Sequence, residues 1–287
     1  MDESKDNLDY DKHYAEYARA FGIGNPKSEL YVSKRAEETH ILHVHDALRD
    51  ELAASVTFAQ GLSDQQARHF ALYGIGRRYG ILWSAFRSIL EAVPLIRTTP
   101  LTGDEGKAVS RDLNTIYINI VGVIDNYAWV LRHEKGSTVI QALPANRVGL
   151  FVKGYLKDPC FAPLAPRLDP FKDWFTDLRS RRDPAAHQIP LYVPPTALDP
   201  ENLQRYRKIE AEIASLTPLL EFSKIDELRD EQERLGVFVS RFMHHPDEPL
   251  IPFYPTIPQD LAQLIRISVA VRQWLGAVPP SMAQAVP

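Results

Sequence analysis

The sequence predicts a mainly α protein, a helical bundle with a small β addition near the C-terminal third. Three features carry that prediction. Apolar residues recur at steps of three and four through several long segments, as in helices with one buried face. Proline and glycine punctuate the stretches between those segments. Alternating apolar and polar residues occur in only a few short runs, mostly after Leu235. The expected organisation is a single domain over 1–287. A bundle core occupies 8–195, and a charged hairpin, short strands and a closing helix occupy 196–287.

The elements follow in order. Tyr10, Tyr14, Tyr17 and Phe21 give a short helix an aromatic face, ended by Gly22, Gly24 and Pro26. Ser33 to Gln60 reads as a long helix carrying Ile41, Val44, Leu48 and Leu52. Its His40 and His43 share a face but His45 points elsewhere, so a mixed polar surface is expected there and no metal site. Ser63 to Gln66 has the form of a capping box, with Ser63 as the cap, opening a helix that runs to about Ala92. Gly74, Gly76 and Gly80 inside it suggest close helix packing. The neighbouring Arg77 and Arg78 suggest a solvated face.

Asp104 to His133 is apolar nearly all round, which marks a central buried helix. Asn114, Asn119, Asp125 and Asn126 interrupt it and need partners there. Asp125 has two possible roles. It either closes a register-fixing ion pair with an arginine of the 179–182 cluster, or it positions a reactive Arg or His. Gly136 to Pro170 is rich in proline and expected to be mostly loop. Asp169 is then placed to cap a helix whose Phe171, Trp174, Phe175 and Leu178 face the core. After Pro195, Pro200 to Leu216 and Ser223 to Leu235 form a charged helical hairpin. Gly236 to Phe242 and Leu250 to Tyr254 read as strands, with Leu191 to Val193 as a third. Pro258 to Trp274 is an amphipathic closing helix, and the tail after it is expected to fray.

Composition narrows the function classes. Hydrophobic residues make up 45% of the 287, enough for a sizeable core. The formal net charge of −4 supplies no global field for nucleic acid, so an RNA contact would need a local basic patch. The single cysteine, Cys160, excludes an internal disulfide framework and suits a reducing cytosol. The acidic, polar N-terminus has no signal-peptide pattern, and no apolar run approaches a membrane span. A cytoplasmic location is the resulting expectation. No Gly-rich phosphate loop, HExxH, CxxC or GxSxG motif is present, and no cofactor or metal is implied. His244 and His245 read as part of a turn, because adjacent side chains in extended chain diverge.

Chemistry concentrates in one stretch, DWFTDLRSRRDPAAHQIPLYVPP, Asp173 to Pro195. Arg182 is a permanent planar cation suited to phosphate, and histidine, the residue type at position 187, has the unperturbed pKa nearest neutrality. An unbroken helix would turn about 500° between them, so they would not share a face. Pro184 suggests a break: a helix ending near Arg182, Asp183 as a new N-cap, and a short turn to His187. Such a break could bring guanidinium and imidazole to one pocket.

Arg182, the polar Asp183 directly after it, and His187 four residues further resemble the motif of the HEPN superfamily. Leu113 to Glu134, with Asp125, Asn126 and Trp129 at its heart, is similar to the central helix of bacterial HEPN-like proteins. The resemblance covers about Asp64 to Val193. It implies a metal-independent endoribonuclease, often a toxin or defence effector, working as a homodimer with both motifs facing one cleft. On that reading His187 is the acid–base group and Arg182 stabilises the scissile phosphate. Asp183, Asp125 and Asn126 are supporting residues, and Arg179 and Arg181 add phosphate contacts. A regulatory protein partner is a further implied possibility. Ile189 stands where some HEPN proteins carry a modifiable tyrosine, so regulation through that position is not implied. The alternative is a non-catalytic interaction or scaffold protein whose motif is a structural ion-pair network. A third reading places a nucleotide or other small ligand at the arginine cluster.

Overall fold

The computed structural model describes residues 29–276, with side-chain surroundings from residue 38 onward. The aromatic segment around Tyr10 to Phe21 and the tail beyond Gly276 lie outside the described residues. The described residues are mainly helical, with two short strands in the C-terminal third of the chain.

Helix α1 (Glu29–Gly61) packs its Val44, Leu48 and Phe58 inward. His40 is also buried, which corrects the expected polar surface at that position. Helix α2 (Gln65–His69) runs without interruption through a π-helical segment, Phe70–Gly76, into α3 (Arg77–Ala92). Its N-cap is Asp64, which accepts from the Ala67 N–H, and not Ser63 as expected. The reason lies far along the chain. The Glu134 carboxylate accepts the N–H groups of both Ser63 and Asp64, at 2.9 Å each, so the turn is capped from outside.

Helix α4 (Gly103–Lys135) is the axis of the molecule. It opens with a complete capping box from Thr102 and Glu105, which the sequence reading passed over. Leu113, Ile116, Ile120, Ile124, Tyr127 and Leu131 are fully buried along it. Burying a side chain of this size contributes about 1.5–3 kcal/mol, so this row is a main source of stability. The loop after it contains α5 (Thr138–Gln141), three 3₁₀ turns, and α6 (Ala165–Leu168).

Helix α7 (Lys172–His187) lies against α4. Asp169 does not cap it. Asp169 sits in a preceding 3₁₀ turn and pairs with Lys172 at 2.6 Å. Helices α8 (Pro200–Leu216) and α9 (Phe222–Glu233) form the expected charged hairpin, joined by Arg205 and Glu231 at 2.7 Å. Strands β1 (Arg241–Phe242) and β2 (Ile251–Pro252) pair antiparallel, and Tyr192 bridges to Met243. This is the small sheet expected, reduced to a few residues. Helix α10 (Thr256–Trp274) closes the bundle against α1 and α4. None of the described helices is long and apolar enough to cross a membrane.

Candidate functional site

The motif helix differs from its expected form. Helix α7 continues through Pro184 to His187. Pro184 removes one hydrogen bond, but only a single turn follows, closed by Gln188 N–H donating to the Pro184 carbonyl at 2.8 Å. A residue before proline normally avoids the helical region. Here Asp183 is held in it from two sides. Its carboxylate accepts from Arg179, one turn back, at 2.6 and 2.9 Å, and from Arg182 at 3.0 Å. Asp183 is therefore a helix-interior anchor and not an N-cap. The consequence is geometric: with no break, Arg182 and His187 leave α7 on different faces.

Arg182 faces α4. Its side chain is 25% exposed, and its Nε is buried without an acceptor among the described residues. Its charge is the strongest favourable influence on Asp125 of α4, followed by those of Arg78 and Arg179. His187 is exposed on the last turn of α7. Arg181 turns the other way, into the bundle. It donates to both oxygens of Asp260 on α10 at 2.9 and 3.0 Å. It also lies over the Tyr117 ring. Asp260 receives the Trp174 indole N–H at 2.8 Å and the Tyr117 hydroxyl at 3.0 Å as well. Arg181 is thus a buried structural cation, which withdraws it from the expected phosphate-contacting set.

Arg78 enters from α3, a residue that sequence reasoning placed on a solvated face. Its guanidinium lies against the backbone of Gly122, where any Cβ would collide with it. It donates to Asn119 Oδ1 at 2.8 Å. One turn further along α4, the Asn126 amide occupies the space left by the missing side chain of Gly74, and its nitrogen donates to the Gly122 carbonyl. Gly74 lies in the π-helical segment, a distortion that often accompanies functional positions. The two glycines let the π-helical segment and α3 lie close against α4, which brings Arg78 near Asp125. The available signals were the glycine spacing in GIGRRYG and the asparagines interrupting α4.

The site therefore gathers Arg78, Arg179, Arg182, Asp125 and Asp183 on three helices. Partial burial tends to raise the Asp183 pKa, but the hydrogen bonds from Arg179 and Arg182 outweigh it and hold the carboxyl below the usual range. At Asp125 the balance is opposite, because burial raises its pKa against the pull of Arg182, Arg78 and Arg179. A carboxyl whose folded pKa is raised binds its proton more tightly in the folded state. Its contribution to stability is full below the unfolded value, about 3.9, and is lost as pH rises through the folded value. Wild type should therefore lose stability relative to Asp125→Asn as pH rises from about 4 through the raised folded pKa. Urea unfolding of both proteins at each pH checks this, and a difference constant with pH would contradict it.

Beside the motif, a groove of about 700 Å³ runs along α7, lined by Lys172, Phe175, Thr176 and Arg179 among others. Phe151 stacks on Phe175 with ring centroids 4.4 Å apart. Comparison of the chain with protein-family models, curated proteins and solved structures finds no match.

Proposed function

We propose that this chain is a metal-independent endoribonuclease of the HEPN type that works as a homodimer. The observation that supports this reading is the state of helix α7: a rigid helix with His187 exposed at its end and a partly exposed Arg182 whose Nε has no acceptor among the described residues. Arg181 Nε also lacks an acceptor among the described residues, but that side chain is spent on Asp260, so what sets Arg182 apart is its partial exposure on the helix that ends in His187. Because the two side chains leave different faces of one helix, the productive pair forms between copies: Arg182 of one chain with His187 of the other.

The chemistry needs no metal. The RNA 2′-oxygen attacks the adjacent phosphorus as a general base removes its proton. The 5′-oxygen of the next nucleotide leaves and takes a proton, producing a cyclic phosphate and a free 5′-hydroxyl. His187 serves one of these proton transfers. Arg182 stabilises the negative charge that builds on the phosphoryl oxygens. Asp125 and Asp183 orient Arg182, Asn126 supports the α3–α4 contact behind it, and Arg179 and Lys172 track the RNA backbone. A cytosolic toxin or defence effector under control of a protein partner is the setting this reading suggests.

Incubation of purified protein with unstructured RNA in EDTA tests the proposal. Wild type should cleave. His187→Ala should reduce the rate about 10²–10⁴-fold and Arg182→Ala about 10²–10³-fold, with helical circular dichroism retained. A second reading is favoured by the ion pairs of Asp183 and the Arg181–Asp260 contact. In it, α7 is a structural lock and the chain a non-catalytic interaction protein. Absence of cleavage by wild type, with Arg182→Ala lowering the unfolding midpoint, would select that reading.

A further inference from the structure

Away from α7, the loop between α5 and α6 encloses a pocket of about 400 Å³ whose charge contrasts with the rest of the molecule. Arg147, Lys153 and Lys157 line it. All three are exposed, and no carboxylate among the described residues forms an ion pair with any of them. Elsewhere in the molecule Arg97 is matched by Glu105, Arg205 by Glu231 and Arg272 by Glu51. On a chain of net charge −4, three unmatched cations converging on one concavity form a local positive field.

The one carboxylate in the lining is already engaged. Asp158 accepts the Cys160 N–H at 3.0 Å and the Ser137 hydroxyl at 2.8 Å. Hydrogen bonds from Cys160 and Ser137 hold its pKa below the usual range. Burial, reinforced by Asp158, pushes the Cys160 thiol up to about 11, so it remains a protonated donor near neutral pH. The loop is also anchored. Tyr155 is buried and donates its hydroxyl to the Ala128 carbonyl of α4 at 2.7 Å. Gly154, at φ +93°, supplies the left-handed turn that sets Lys153 and Lys157 on either side of it. The wall beside the cations is apolar, formed by Ile140, Leu143 and Val139, the last 67% exposed.

We propose that this pocket binds a phosphorylated small molecule, with its phosphoryl group on Arg147, Lys153 and Lys157 and its organic part against Val139 and Leu143. The size lies within the range of small-molecule sites, and few polar groups beside an apolar wall are their usual composition. The site is independent of Arg182 and His187 and does not rest on the ribonuclease reading.

Isothermal titration of the full chain with phenyl phosphate and with inorganic phosphate tests it. Phenyl phosphate should bind more tightly, because only it reaches the apolar wall. Lys153→Gln and Lys157→Gln should each weaken both ligands about tenfold. Val139→Ser should weaken phenyl phosphate alone. Lys208→Gln, at a cation on α8 that lines neither this pocket nor the α7 groove, should change nothing. Absence of phenyl phosphate binding, or equal binding by wild type and both lysine variants, would overturn the proposal. So would binding of an RNA oligonucleotide through these lysines without binding of phenyl phosphate.

Discussion

Replacing Arg272 by Met is expected to destabilise the protein by about 3–5 kcal/mol, the usual consequence of leaving a buried charge without its partner. Arg272 on α10 makes a two-point contact with Glu51 on α1, with one arm at 2.6 Å. Both side chains are 6% exposed. Burial alone would lower the Arg272 pKa, and the Glu51 charge outweighs that effect and raises it. The guanidinium also donates to the Tyr127 hydroxyl of α4 at 3.1 Å. Close by, the Tyr79 and Ser268 hydroxyls bond at 2.5 Å, linking α3 to α10. One polar cluster therefore sets the register of four helices inside an otherwise apolar core.

The same geometry predicts how the loss is recovered. In Arg272→Met, Glu51 must be desolvated without compensation or must take up a proton. Glu51→Leu together with Arg272→Met removes both charges and should regain most of the lost stability. Urea unfolding checks both variants, with an unchanged slope showing that the midpoint shift is a stability change. A single variant within about 1 kcal/mol of wild type would mean that Glu51 reaches solvent or is already neutral.

Strong helical periodicity made most of the bundle legible in the sequence. The buried row of α4 and the charged faces of α8 and α9 fall where the spacing places them. What was not legible depends on partners far away in the chain. Ser63 looked like a cap because nothing local shows that Glu134, 70 residues from Asp64, takes the N–H groups of that turn. Arg181 looked like its neighbours in the arginine cluster, yet its partner Asp260 lies 79 residues further on. The one local hint was a lone carboxylate beside Leu261, Leu264 and Ile265 on the apolar closing helix. Pro184 misled for a different reason: proline propensity is a local penalty, and the pairing of Asp183 with Arg179 and Arg182, together with packing of Leu178 and Ala185, outweighs it. Arg78 was hidden because its position depends on the absence of side chains at Gly122, which a search for charged motifs does not register.

The second large effect concerns catalysis, and it follows from the unbroken helix. Within one chain, Arg182 and His187 diverge, so the proposed ribonuclease site would draw on a partner chain. Arg182→Ala and His187→Ala should each be nearly inactive alone. Mixing them in equal amounts under conditions of subunit exchange places half the chains in mixed dimers. Each mixed dimer holds one site carrying both substitutions and one fully intact site. Activity should then return to about one quarter of wild type. Sites confined to a single chain would give no such return, since every chain would carry one lesion.

That mixing experiment, read as RNA cleavage in EDTA with dimer exchange verified by light scattering and subunit labelling, is the most direct test of the function proposed. Recovery to about one quarter of wild type is the predicted result. Failure of the verified mixed dimer to cleave, while wild type does, would contradict a site shared between Arg182 and His187 of two chains.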